Sequence, residues 1–379
     1  MKLSISLSRS GGRWLLAAAV AGAGILAPLP ASPVVVSRAV AAEEEAVPPA
    51  VRESIDKALA WLAKNQKPDG TFPQGDAAGT TAVPSLCILA FLARGHVPGQ
   101  GPYGETLYRS IDYIINSQQE NGLVSKHLNG NHVMYEHGIS TVMLAECYGM
   151  VDDARRAKIG KALAKSAKLI LDAQRPNNQP KNMPYTGGWR YQVSSADSDI
   201  SVTGWQMMAL RGAANCGADI PKEDLEAARE YIKRSAYKGG GFGYQPGQGP
   251  NQARTGTGIL IMELFRGLDT SLAPGEHPKE ALAGGDYLMT NPPDNPSMEF
   301  YYYGVYYCSQ ALNQLGGKYW DTLYPKKLRD TLLAQQSPTG AFDGGGGQEQ
   351  QAGPAYRTAM ACLALCVPYR YLPIYQNDK

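Results

Sequence analysis

Phenylalanine is scarce in this chain, with 6 in 379 residues, and histidine is scarcer still, with 5. Net charge is nearly absent, because 36 basic side chains face 34 acidic ones. So small a balance excludes a polycation that binds nucleic acid through its phosphates. Charged residues make up only 18% of the sequence against 44% hydrophobic, which excludes disorder. No Cys-x-x-Cys pair exists among the 6 cysteines. The run Gly344 to Gly347 is not followed by Lys-Ser or Lys-Thr, so it is no phosphate loop and reads as flexible turn material. Beyond the N-terminal segment no apolar run is long enough to cross a bilayer. What is plentiful is punctuation and tyrosine, with 42 Gly, 26 Pro and 22 Tyr, which favours short helices joined by ordered loops.

The first segment reads as an address. Lys2, Arg9 and Arg13 precede an apolar stretch from Trp14 to Leu26, and a Pro- and Ala-rich region ends in Ala39-Val40-Ala41, the small-residue pattern of a secretory cleavage site. An uncleaved anchor is the competing reading, because Leu26 to Ala41 is long for a cleavage region. The body is expected to be exported, periplasmic or extracellular. Losing residues 1–42 removes four basic and no acidic side chains, which moves the formal charge from +2 to −2. The expected organisation is a signal and linker over 1–42, a short linker over 43–50, one domain over 51–368 and a tail over 369–379. Cys87, Cys147, Cys308 and Cys362 sit inside apolar helical runs and are expected to be free, buried thiols.

The body is a repeat. An amphipathic helix, a Gln-rich end, a Gly-rich turn with an aromatic, and a more apolar second helix can be read six times. Gln66 to Phe72 before Leu86 to Leu92, and Gln336 to Phe342 before Ala355 to Val367, show the phrase in full. In the fifth copy the glycine turn is replaced by Asn291-Pro292-Pro293. First helices with one apolar stripe face water, and second helices apolar on most sides are enclosed. An open solenoid needs polar capping repeats, yet the terminal copies look like the middle ones. Closure into a ring removes that need, so the expected fold is all-α, an α/α toroid of six helical hairpins. The starts of the inner helices then surround a central cavity.

The Gln-x-x-x-x-Gly-x-aromatic phrase and Gly187-Gly188-Trp189-Arg190-Tyr191 resemble the repeats of the squalene cyclase and protein prenyltransferase superfamily. The resemblance covers roughly residues 51 to 368 and implies an α6/α6 toroid with ligands in the central cavity. It does not fix a reaction. Class II terpene cyclases carry Asp-x-Asp-Asp-Thr at an inner-helix start, and here Asp197-Ser198-Asp199-Ile200-Ser201 matches two carboxylates and lacks the third. By that match Asp199 is the acid and Asp197 its neighbour, since a carboxylic acid must be kept protonated in a dry pocket to protonate an alkene. The zinc set of the prenyltransferases is missing: Asp197-x-Asp199 holds no Cys, and Arg357 rather than His precedes Thr358. Neither a metal nor a cofactor is expected, and the Cys-Gly-Glu-Gln thioester phrase is absent.

Each candidate also has a plainer account. Asp197 and Asp199 suit an N-cap. Glu299 sits five residues before Gly304, as Asp199 does before Gly204, and is a first-turn residue that could reach the same mouth. Tyr302, Tyr303 and their neighbours crowd one inner helix and, with Trp205, form either a cavity wall or core. His127, His132 and His137 are five apart and do not stack on one face, so His137 alone, beside Gly138, is the candidate at the mouth. The leading expectation is a ring binding an apolar or amphipathic, isoprenoid-like ligand, with terpene cyclase or isomerase chemistry left open. The alternatives are a non-catalytic ring binding a protein or a cell-envelope glycan, and a polysaccharide lyase or hydrolase to which Arg190 and Arg254 would contribute. Nucleic acid is not an expected partner.

Overall fold

A computed structural model describes residues 47–75, 80–127, 130–174 and 184–376. The chain divides into two units, Met1–Ala42 and Glu43–Lys379. The secretory segment expected over 1–42 lies outside the described residues, and every helix below belongs to the second unit.

The described residues are helical, with isolated β-bridges and no named strand. In chain order the helices are α1 (Pro49–Asn65), α2 (Ala82–Ala93), α3 (Gly104–Ile115), α4 (Val133–Cys147), α5 (Asp153–Ala173), α6 (Ile200–Asn215), α7 (Lys222–Arg234), α8 (Gln252–Leu264), α9 (Lys279–Thr290) and α10 (Tyr301–Leu315). The last hairpin begins with α11 (Gly317–Leu323), which runs through a π-helical turn into α12 (Asp330–Leu333). A short α13 (Gln348–Ala352) then leads into α14 (Pro354–Leu365). The patterning sorts them into layers. α1 buries Val51, Ile55, Leu59 and Leu62 while Glu53, Asp56 and Lys57 stay in water, whereas α2 buries every residue from Val83 to Ala93. The inner helices pack in sequence, α2 on α4, then α6, α8, α10 and α14, and α14 returns to α2. The ring is closed, as the resemblance of its terminal repeats to the middle ones implies.

The repeat phrase is what joins the hairpins. The amide of Gln66 donates to Thr106 O and Ser110 Oγ on α3, both at 2.8 Å. Gln118 makes the same reach to Ala162 O on α5 at 2.9 Å, and Gln174 to Asp224 O on α7 at 2.8 Å. Gln336 donates to Ser54 O on α1 at 2.8 Å, which stitches the last repeat to the first. The turn glycine then lies against the backbone of the next outer helix. Gly122 and Gly340 have φ of +96° and +98°, and a Cβ on them would stand 2.6 and 2.5 Å from the carbonyls of Lys165 and Lys57. Only glycine meets both demands. The following residue but one drops into the core, as Phe72, Val124, Trp189, Phe242 and Phe342 do.

Of the expected C-terminal tail, residues 369–376 are described. They run across the C-terminal ends of the inner helices: Glu146 Oε1 accepts from Ile374 N at 3.1 Å, Gln314 Nε2 donates to Tyr375 O at 2.7 Å, and Arg211 Nη2 donates to Gln376 O at 2.6 Å. The hydroxyls of Tyr306 and Tyr375 pair. Leu372 and Ile374 are buried. Above this plug the bore is filled by Trp205 stacked on Tyr306, with centroids 6.0 Å apart, and by Tyr307 edge-on to Trp205. All six cysteines are free, five of them buried.

Candidate functional site

Where the inner helices start, a cavity of about 270 Å³ opens on one face of the ring. Its walls are tyrosines from five places in the chain: Tyr135 on α4, Tyr191 and Tyr244 in turns, Tyr303 on α10 and Tyr356 on α14. Val83, Leu86 and Ile139 supply an apolar side, and Asn251, Arg254 and His132 a polar one. The turn tyrosines are held by charge. Tyr191 and Tyr244 share a hydroxyl–hydroxyl bond, Arg190 lies 4.9 and 5.4 Å over their two rings, and Arg254 lies 5.2 Å over Tyr244. Arg190 is itself paired with Asp197. Among the described residues no carboxylate pairs with Arg254.

The expected acid pair is split by this arrangement. Asp199 is fully enclosed and caps α6, its Oδ1 accepting from Ser201 N at 3.0 Å and Val202 N at 2.9 Å. Its Oδ2 has no hydrogen-bond partner and stands 4.0 Å from Arg190 Nε. Burial pushes the carboxyl up to about 7, against the pull of the two N–H groups and Arg190. Its charge is felt by Tyr135, Tyr244 and Tyr303, so it lies behind the tyrosine wall rather than in it. Asp197 is half-exposed, bound to Arg190 and at 3.0 Å to Gln245 Nε2, and its charge adds to the upward shift of Asp199.

Of the other candidates Tyr303 and Arg254 line the cavity, with His132 of the histidine cluster. The Tyr303 hydroxyl faces Tyr307, Trp205 and Ser201 without a well-formed bond to any, and Trp205 Nε1 directly below is likewise unpartnered. Tyr302 turns away, its hydroxyl on Asp343 O and its ring edge-on to Phe342. His137 is enclosed and takes no part in the mouth. Its Nδ1 accepts from Val124 N at 3.0 Å, the job that Thr203, Thr255 and Thr358 hydroxyls do for Trp189, Phe242 and Phe342. Burial lowers its pKa to about 4. Glu299 is exposed, and the analogy with Asp199 fails for a local reason: Phe300, at φ +57°, turns the chain before α10 begins.

The cap that Glu299 does not provide comes from elsewhere. Glu349 on α13 accepts from Tyr302 N at 3.1 Å and Tyr303 N at 2.9 Å, with its carboxyl pushed up to about 7 by burial. Glu136 does the same for α2, accepting from Thr81 N at 2.9 Å while its other oxygen meets His127 Nδ1 at 2.6 Å. Both carboxylates border the cavity, and both are occupied by backbone donors. Periodicity does not reveal such caps, because each serves a helix of a neighbouring repeat. Among the described residues no group of three His, Cys, Asp or Glu converges in a metal-binding arrangement, and no helix is long and apolar enough to cross a membrane.

The sequence pattern of the prenyltransferase α/α-toroid domain matches residues 52–281 and 297–376. The chain belongs to the prenyltransferase α/α-toroid family. No curated protein matched in the sequence comparison. Among solved structures, this toroid superposes on an inactive variant of the α-1,6-mannanase GH76A of Salegentibacter sp. HEL1_6 bound to α-1,6-mannotriose, at 10% identity and TM-score 0.57, covering 84% of this chain and 98% of that one. It also superposes on the type II terpene cyclase MstE from Scytonema, at 15% identity and TM-score 0.53, covering 84% and 97%. A variant of that cyclase holding geranylgeranyl dihydroxybenzoate gives 12% identity, TM-score 0.52 and coverage of 85% and 98%. The toroid is thus a fold shared with a terpene cyclase and a glycan hydrolase, and identities this low carry the fold alone.

Proposed function

We propose that this protein is an exported toroid that binds a small amphipathic ligand in its central cavity, apolar body against Val83, Leu86, Ile139 and the tyrosine rings, polar or anionic head at Arg254. The observation that carries this reading is Arg254: a guanidinium that borders the cavity, rests on Tyr244 and has no carboxylate partner among the described residues. The carboxylates around it are engaged by helix N-termini, so an incoming head group would not compete with them. Titration calorimetry with decanoate, decanol and α-1,6-mannotriose tests the proposal. Decanoate should bind about tenfold or more tighter than decanol, as a charge-assisted bond requires, and Arg254→Ala should erase the difference. Preferential binding of mannotriose would move the reading to a glycan-binding ring.

Acid catalysis is a second reading, favoured by the unpartnered Oδ2 of Asp199 and its elevated pKa. Asp199 would be the acid, Asp197 its tuning neighbour, and an isoprenoid alkene the substrate. On this reading Asp199→Asn abolishes deuterium incorporation into geranylgeraniol in deuterated buffer while decanoate still binds. Unchanged incorporation by the variant removes Asp199 from that role.

A further inference from the structure

The segment from Gly344 to Gly353 joins the last Gly turn to α14 along the cavity side of the ring. Gly344, Gly345 and Gly347 have φ of +85°, +78° and +49°, and Gly353 closes the other end at +93°. Each end therefore holds a backbone conformation that would strain other residues and that glycine leaves at little cost. Between these hinges Gln348, Glu349 and Ala352 form part of the cavity wall, while Gln348 and Gln350 are exposed to water. Its backbone is tied at the edges, Gly346 bridging to Glu299 and Ala352 O accepting from Gly75 N at 3.3 Å, and it has one deep side-chain anchor. Glu349 is 2% exposed, and its carboxylate takes the first-turn N–H groups of Tyr302 and Tyr303. α10 has no side-chain cap of its own, because its N-cap position is Phe300 in the left-handed region.

We propose that Gly344–Gly353 is a lid over the cavity and that Glu349 is its latch, a positioning residue that fixes the start of α10 and with it Tyr303 in the cavity wall. The purpose of the lid rests on the ligand-binding reading; its motion does not. Lifting the lid removes one wall, exposes the first-turn donors of α10 and returns Glu349 to water in a single movement.

The groups that face Glu349 are Tyr301, Tyr302 and Tyr303 on α10 with Tyr356 and Arg357 on α14, while Asp343 and Glu299 stand exposed at the outer edge. Burial outweighs Arg357 and the N–H donors and holds the carboxyl near 7 against an ordinary 4.5. The shut state therefore binds the proton more tightly than the open one. Its advantage is complete below the ordinary value and is lost as pH rises through about 7.

Hydrogen exchange on the full chain from pH 5 to pH 8, corrected for base catalysis, tests the lid without any ligand. Amides of 300–304 and 344–353 should lose protection together, by about tenfold or more across that range, while α6 and α8 stay protected. Glu349→Gln keeps one acceptor but cannot titrate, so both segments should exchange faster at a rate independent of pH. Independent exchange of the two segments, or wild-type protection that does not change with pH, overturns the lid, and the wild-type series decides this even if the variant does not fold. Decanoate that fails to bind while the two segments open together overturns the ligand reading and leaves the lid standing. Decanoate that binds without such opening overturns the lid alone.

Discussion

His137 shows how one side chain can look functional and be structural. Thr203, Thr255 and Thr358 each hold the aromatic turn of their repeat by accepting one buried N–H, and His137 does it in the second repeat with a ring nitrogen. Thr in its place should therefore be tolerated, whereas His137→Leu leaves Val124 N buried without an acceptor and should cost about 1–3 kcal/mol in urea unfolding. The pH response is separable. A histidine held neutral with a pKa near 4 binds fewer protons folded than unfolded, so its stabilising share is present above 6.5 and lost as pH falls toward 4. Between pH 7 and pH 5 the wild type should lose about 2 kcal/mol that His137→Thr keeps. At Asp199 the capping oxygen survives in Asn, so Asp199→Asn should change stability by less than about 1 kcal/mol, while Asp199→Ala should cost about 1–2.

At the scale of elements, the ring is held by a phrase rather than by any one helix. A glutamine reaches the next outer helix, and four residues on in three of the repeats, a glycine lets the turn lie flat against that helix. This prediction compares two glycines with nearly equal φ. Gly217, at +92°, has open space around its missing Cβ, and Gly217→Ala should cost about 1 kcal/mol. Gly340, at +98°, would drive its Cβ into the carbonyl of Lys57, so Gly340→Ala should cost several times as much by parting the last repeat from the first. Equal losses in chemical denaturation would show that the close approach contributes nothing. The phrase was legible because it recurs, and repetition is the one long-range contact a sequence displays directly. The site was legible only where it touches the repeat: Asp199, Arg254 and Tyr303 sit at inner-helix starts, and of these Arg254 and Tyr303 reach the cavity. Tyr191 and Tyr244 lie in turns, and Glu349 caps a helix of another repeat, so neither periodicity nor local spacing marks them. Glu299 was misplaced by the left-handed turn at Phe300, which nothing in the residue type announces.

For the whole molecule, closure changes how it comes apart. A solenoid can fray from its ends, but here Gln336 and Gly340 bind α1, and α14 packs on α2. Unfolding should proceed as one cooperative transition by tryptophan fluorescence and circular dichroism, and a chain ending before α11 should fail to fold rather than form a shorter stable array. Removing the residues from Leu372 onward deletes two buried aliphatic side chains and the partners of Glu146, Gln314 and Arg211. That truncation should lower Tm by roughly 5–10 °C.

The same plug also decides what kind of molecule the ring can handle. With Tyr375 and Ile374 across one side and Trp205, Tyr306 and Tyr307 filling the bore, the toroid is a cup and not a tunnel. A polymer cannot be threaded through it, and whatever binds must come in and leave by the same side.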